Sequence, residues 1–443
     1  MQCQPIHTKH LGHIGLQLHA LFALPASPYT PNTLTQEQIE FRDTVRDFVR
    51  DVVKPAILNP ARLQELPLRF PTDILEETAR LGLRSLRLSE SAGGAGADEL
   101  TSCMVLEELG AGDAGVALMI GETARLGRIL FDEAMTPAQC EMFLPMFLDD
   151  FSFHLSVAKP LPTSDLGLGY YRPGPLSEPA TVNAVRDGET WLLNGCAEFV
   201  LNAPLAGLFA VFADGGAGRN GEVVFLVPRD ADGLEVAGYE ASQFEMPWYL
   251  GLRGKLIFRN CRVRDDMRLG EHGNALLRDD AVGGVHIAPW QQAINLGLGR
   301  AACEAALEYT KIRVQGARPI IGHQAIGIKL ADMVIRIEVA RTMVWRAACA
   351  LDRPGIHEAT GHQGLPLWAI SKVYTSEAVH EVTELAAECF GAMGVMRDMP
   401  LQKYFNEATV LLGSGCSNSA ARFRIAEALA GYEGHDRANQ AGM

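Results

Sequence analysis

Apolar positions along this chain keep helical time, change to strand time in the middle, and then return to helical time. From Thr35, the positions Ile39, Val45, Phe48, Val49 and Val52 mark one helix face. Thr35 and Gln38 are spaced as a capping box at its start, and Pro55 is expected to end it. Further helices are predicted over 72–82, 99–112, 114–133 and 137–148, punctuated by a turn at Gly93, Gly94 and Gly96. From about residue 151 to 283, short alternating or β-branched runs take over, at 181–185, 191–194, 208–212, 223–227, 234–236 and 256–258. Asp187 and Gly188 lie between two of them as a hairpin signal, so the block reads as a small antiparallel β domain. Helical spacing resumes over 290–313, 323–352, 366–390 and 416–430, around small residues such as Ala301, Ala302, Ala305 and Ala306.

This order predicts an α+β chain in three folded blocks, residues 34–150, 151–284 and 285–431, the last a four-helix domain. A length of 443 residues suits two to three domains with sizeable cores. Residues 1–33 are expected to be a disordered arm and 432–443 a tail. The apolar content of the arm is interrupted by His7, His10, His13 and His19, unlike a secretory signal, and those histidines have no fixed metal-ligand spacing. Residues 159–179, rich in Pro and Gly, read as a long loop at the entrance of the β domain.

Charge and cysteine usage narrow the function. A net charge of −14 argues against a nucleic-acid or anionic-membrane binder, and no apolar run is long enough to span a bilayer. Nine dispersed cysteines without a C-x2-C pair read as reduced thiols, which places the chain in the cytoplasm. No H-E-x2-H, G-x-S-x-G, P-loop or zinc-type spacing occurs, so no metal is expected. The G-G-x-G at 93–96 follows no strand and is weak as a nucleotide signal.

Residues 309–333 are the most informative stretch. Tyr309, Ile312, Ile326, Leu330 and Met333 fall at helical spacing, while Arg313, Arg318, His323 and Gln324 gather between two helices. The plain reading is a turn with solvated cations; the sharper one is a polyanion site, because a forked guanidinium suits phosphate. The stretch resembles the acyl-CoA dehydrogenase family, whose pattern is roughly Y-x3-R-x2-F-G-x6-Q-x4-K-L-A-D-M. The resemblance spans roughly residues 34–430. It implies that family's fold (N-terminal helical domain, central antiparallel β domain, C-terminal four-helix bundle), an FAD cofactor, and an oligomer in which arginine and glutamine reach a neighbouring subunit's FAD.

The family's chemistry removes an α-proton by a carboxylate while the β-hydrogen leaves to the flavin; such a base contributes roughly 10²–10⁴-fold. Its usual position, in a Y-E-G-T motif, is Gly415 within Ser414-Gly415-Cys416-Ser417. The alternative position in some relatives is Pro289. Where relatives place an arginine on CoA, this chain has Trp290, an aromatic suited to a planar ligand, and a nearby aspartate is replaced by Ile287. In the β domain, Ser164 and Asp165 are kept, but two threonines that bond the flavin become Ala158 and Leu201, with Phe199 retained to stack on it. The resemblance therefore assigns FAD contacts to Ser164, Phe199, Arg313, Gln324, Gly391, Gly394 and Ser417, and substrate contacts to Ser164, Trp290 and Gly415. Gly316 departs from the family's phenylalanine.

Glu122, on an apolar helix, is a candidate replacement base, against the plainer reading of a paired acid. Cys416 reads as packing before nucleophile. Three functions remain open on this pattern. The leading one is α,β-dehydrogenation of an acyl thioester, within fatty-acid or acyl-CoA metabolism, by a homodimer or homotetramer with a non-standard base. The others are a flavin-dependent monooxygenase of the same fold and a base-less partner subunit of a hetero-oligomer.

Overall fold

The computed structural model describes residues 34–59, 70–159, 181–216, 222–238, 250–274, 277, 289–352 and 365–430. The sequence-derived expectations for residues 1–33, for most of the 159–179 loop and for 432–443 lie outside them, as do Ser164, Asp165 and Ile287.

The N-terminal block is helical. Helix α1, Gln36–Phe48, opens with the Thr35–Gln38 capping box in both directions. Pro55 does not end it. The chain widens into a π turn, Val49–Val53, and runs on as Lys54–Ile57. The wide turn accommodates a ring that would clash in a regular helix and lacks an N–H to donate. Then come α2 (Thr72–Arg80), α3 (Glu99–Gly112), α4 (Ala114–Gly127) and α5 (Pro137–Asp149). Helices α3 and α4 are buried along their whole length, their N-termini capped by Asp98 and Asp113.

The central sheet has seven strands: β1 (His154–Ala158), β2 (Val182–Asp187), β3 (Thr190–Leu201), β4 (Ala206–Asp214), β5 (Glu222–Pro228), β6 (Leu234–Gly238) and β7 (Arg253–Arg264). They run in the order β1-β4-β2-β3-β7-β6, with β5 on β4. The expected hairpin at Asp187–Gly188 joins β2 to β3. The sheet is mixed, not wholly antiparallel, because β1 runs parallel to β4 and β2 meets β4 in parallel at Asn183 and Asp214. Strand β1 is buried at all five positions, so it lacks the alternation that marks a half-exposed strand.

The C-terminal block contains α6 (Pro289–Ile312), the hairpin β8–β9 (Val314–Gln315 with Arg318–Pro319), α7 (Gln324–Asp352), α8 (Leu367–Phe390), α9 (Leu401–Leu412) and α10 (Asn418–Ala430). Helix α9 is an addition to the four expected. One core cluster unites α1, α3, α4 and the C-terminal helices; a second unites α5 with the sheet. Parallel packing of α6 on α8 is fixed at two levels. A Cβ on Gly299 would lie 2.9 Å from Val379, and Tyr309 stacks on Phe390 at 4.1 Å between centroids.

A buried ion network fastens the N-terminal block to the C-terminal one. Arg300 of α6 gives two bonds to Glu108 of α3, at 2.9 and 2.5 Å, and Arg46 of α1 reaches the same carboxylate at 2.6 Å. Arg341 of α7 binds the neighbouring Glu107 at 2.8 Å. Burial opposes the Glu108 charge, but Arg300 and Arg46 prevail and hold its carboxyl down at about 2.

Candidate active site

The end of β3 is tied to α4 through Asn202, and α6 packs on both α4 and α9. Strand β3 carries a bulge between Ala197 and Val200, and Phe199 inside it adopts φ +55 with its ring half exposed. A bulky side chain in left-handed backbone costs about 1–3 kcal/mol, so the surroundings must enforce the bulge. They do so through Asn202. Its backbone N–H bonds the Leu252 carbonyl at 2.9 Å; its amide donates to the Met119 carbonyl at 3.0 Å and approaches Thr123 Oγ1 at 3.0 Å. Ser156 of β1 donates to the Leu201 carbonyl at 2.6 Å. His154, beside Thr123 at 3.2 Å, is pushed down to about 3 by burial and by the Arg84 charge, so its ring is neutral at physiological pH.

Glu122 faces this framework but is already engaged. Arg125 donates to both of its oxygens, at 3.0 and 2.8 Å, and both residues are buried. The pair has the paired-acid geometry weighed in the sequence reading.

Trp290 is placed differently from its sequence assignment as a wall facing a planar ligand. Its indole is 1% exposed in the core, lying where a Cβ on Gly121 would sit, 2.6 Å from Cζ3.

Gly415 lies in the loop after α9 with φ +79, and Ser417 caps α10 by accepting from the Ala420 N–H at 3.0 Å. Cys416 is half-buried beside Lys372, whose charge it favours. Lys372 donates to the Leu411 and Leu412 carbonyls and so holds the end of α9. Lys403, with Asp113 at 3.1 Å and Glu407 at 2.6 Å, ties α9 to the junction of α3 and α4. Sequence reasoning missed both lysines, because a lone lysine in a helix gives no sign of burial.

Arg313, just before the β8–β9 hairpin, and Gln324, the first residue of α7, stand exposed. Gly316 (φ +62) and Ala317 (φ +63) make its tight turn, a type I′ signature. This accounts for glycine where phenylalanine was expected. Arg318 bonds His323 at 3.3 Å, and His323 Nε2 lies 3.1 Å from the Gln315 carbonyl, so both side chains are internally engaged. The Arg313 guanidinium has no ion pair among the described residues. Gly391, φ +58, ends α8 in open space, whereas Gly394 is buried against Ala387.

Two family models match the chain: the acyl-CoA dehydrogenase N-terminal domain over residues 35–150, and the C-terminal domain over 289–430. The mitochondrial short-chain specific acyl-CoA dehydrogenase of Homo sapiens is 30% identical over 407 residues, covering 89% of this chain and 88% of that protein. The chain belongs to the acyl-CoA dehydrogenase family. An acyl-CoA dehydrogenase of Bacillus subtilis is 29% identical, covering 90% of this chain and 99% of its own length. Among solved structures, butyryl-CoA dehydrogenase from Megasphaera elsdenii superimposes with TM-score 0.72 at 25% identity, covering 90% of this chain and all of that one. PigA with FAD and proline matches at TM-score 0.74 and 21% identity over 90% of this chain and 98% of that chain, a likeness of fold.

FAD is the cofactor of this acyl-CoA dehydrogenase family member, and the residues present fit it. A half-exposed aromatic ring on a strained bulge suits stacking on a flavin, and a forked cation without an ion pair among the described residues suits phosphate. Ala158 and Leu201 supply no hydroxyl toward a flavin; Ala158 is 2% exposed.

Proposed function

We propose that this acyl-CoA dehydrogenase family member performs α,β-dehydrogenation of an acyl thioester with a non-standard base, as a homodimer or homotetramer in the cytoplasm. Ser164, Phe199, Arg313, Gln324, Gly391, Gly394 and Ser417 hold FAD, with Arg313 and Gln324 reaching the cofactor of the neighbouring copy. Ser164, Trp290 and Gly415 border the substrate. The observation that carries this reading is Arg313: an exposed guanidinium without an ion pair among the described residues, on a hairpin ordered by its own turn. Bound FAD supplies the electron acceptor; the chain orients the thioester and excludes water around the reacting carbons. No carboxylate stands at Gly415 or Pro289, so the proton leaves by another group.

A second reading, a base-less partner subunit, is favoured by one asymmetry. Groups assigned to a neighbour's cofactor are kept, while hydroxyls for the chain's own flavin are replaced at Ala158 and Leu201. The deciding measurement is the visible spectrum of the chain purified alone, before and after anaerobic addition of an acyl-CoA panel. Flavin absorbance that bleaches with one thioester supports the dehydrogenase. Flavin that binds but never bleaches overturns it in favour of oxygen chemistry fed by a reductase. A colourless protein overturns it in favour of the partner subunit.

A further inference from the structure

A cavity of about 570 Å³ opens where α8 meets the loop between α9 and α10. Gly413 and Ser417, two residues before and two after Gly415, both line it. The cavity therefore joins the loop assigned to the substrate with a residue assigned to FAD. Its size falls within the roughly 300–1,000 Å³ of small-molecule sites. The opposite wall is a face of α8 that presents Glu377, His380, Glu381 and Glu384 at helical spacing.

These four groups are not equally free. Glu377 accepts from Asn418 at 3.1 Å and from Arg422 at 2.8 Å, and Glu381 is held by Arg336. Each is engaged by an arginine, as Glu122 is. His380 and Glu384 meet neither arginine nor lysine among the described residues; they meet each other. His380 Nδ1 lies 3.8 Å from Glu384 Oε1, one turn further along α8. The ring also packs against Phe405, at 5.3 Å between centroids and tilted by 47°. The two side chains are 23% and 52% exposed, so the imidazole is held on two sides and still open to a ligand. A carboxylate beside Nδ1 fixes the tautomer and leaves Nε2 to exchange a proton, the arrangement that makes histidine a general base.

The acyl-thioester reading leaves an α-proton without an acceptor at Gly415 or Pro289. We propose that His380 supplies it: the α-carbon of the thioester lies in this cavity beside Gly415, and His380, oriented by Glu384, takes the proton. The α C–H bond breaks and its proton passes to Nε2. The electron pair left behind becomes the new carbon–carbon double bond, while the β-hydrogen leaves with its own pair to FAD. The imidazolium then returns its proton to water. Glu384 acts through His380 and is a positioning residue. The proposal rests on the acyl-thioester reading and names the residue that reading lacks.

The test uses the full chain reconstituted with FAD and mixed anaerobically with butyryl-, octanoyl- or palmitoyl-CoA. Bleaching rate, flavin-to-protein ratio and acyl-CoA affinity by calorimetry are read together. His380→Gln is expected to bleach about 10²–10⁴-fold more slowly, with flavin content and affinity unchanged. His380→Ala should regain part of the rate with added imidazole, a recovery that a purely structural role would not give. Glu384→Gln should slow bleaching less than His380→Gln does. A wild-type rate in His380→Gln would overturn the proposal while leaving dehydrogenation intact. Slower bleaching matched by lost flavin in both His380 variants would overturn it in favour of a cavity that holds the cofactor. If no acyl-CoA bleaches the wild type, the acyl-thioester reading falls and this proposal with it.

Discussion

The Nζ of Lys372 donates to the Leu411 carbonyl at 3.0 Å from a side chain with no exposed surface. A second bond reaches Leu412 at 2.8 Å, so a cation sits at the negative end of α9 immediately before Gly415. Burial pushes the amine down to about 8 from its ordinary 10.5, the neighbouring Cys416 partly opposing this. Between those values the unfolded chain binds more protons than the folded one, so this group's contribution to stability rises with pH. Lys372→Met removes the linkage and strands two carbonyls. Thermal melts from pH 7 to 10.5 are expected to show the wild type gaining on the variant as pH rises through about 8. A constant gap would mean that the amine titrates normally.

Glu108 obeys the opposite rule. Its carboxyl is held at about 2, well below its ordinary 4.5, so its contribution is fully present above 4.5 and is lost as pH falls toward 2. Glu108→Gln removes the two-bond partner of buried Arg300, which keeps only its longer contacts to Glu107 and Glu304 at 3.3 and 3.5 Å. Removing one partner of a buried pair is worth about 3–5 kcal/mol, and the remaining carboxylates place the expected loss at the lower end. Denaturant melts at pH 7 are expected to show that loss, and the difference from wild type should narrow between pH 4.5 and 3. A variant within 1 kcal/mol of wild type at pH 7, by the same scale, would show the network to be dispensable.

How much of this was legible in the sequence depended on distance along the chain. The Thr35–Gln38 capping box and the Asp187–Gly188 hairpin are local, and both were readable. Strand β1 escaped because burial on both faces erases alternation. Pro55 misled because a π turn upstream absorbed it. Helix α9, Leu401–Leu412, fell between the two predicted spans 366–390 and 416–430. The identity of Gly316 made sense only once its φ of +62 was known. Trp290, Lys372 and the Glu108–Arg300 pair, 192 residues apart, depend on which helices meet, and no periodicity states that. Arg313 and Gln324 stand out in the sequence only because their spacing matches a family pattern.

Arg313→Ala and Gln324→Ala should weaken FAD retention without unfolding the chain, since both side chains are exposed. One charge-assisted contact is worth about 1.5–3 kcal/mol, so Arg313→Ala is expected to lose about tenfold or more in cofactor affinity. Arg313→Lys should recover only part of it, because an ammonium lacks the planar fork. The flavin-to-protein ratio after gel filtration, read beside the melting temperature, checks this. A normal ratio in both alanine variants would remove these residues from the cofactor site.

Gly415 decides whether the missing base can simply be put back. At φ +79 an L-residue is strained by about 1–2 kcal/mol, so the loop between α9 and α10 has a shape that its glycine permits. Gly415→Ala should therefore lower stability by about that much although the position is exposed. Gly415→Glu carries the same strain and should not give faster anaerobic bleaching by acyl-CoA than the wild type. Glu122→Gln should also leave that rate unchanged, because the Glu122 carboxylate is engaged by Arg125 on both oxygens. A glutamate at 415 that accelerates bleaching, with the loop still folded by circular dichroism, would show that the position kept its orientation toward the substrate and lost only its carboxylate. A slowed Glu122→Gln would return that residue to the chemistry.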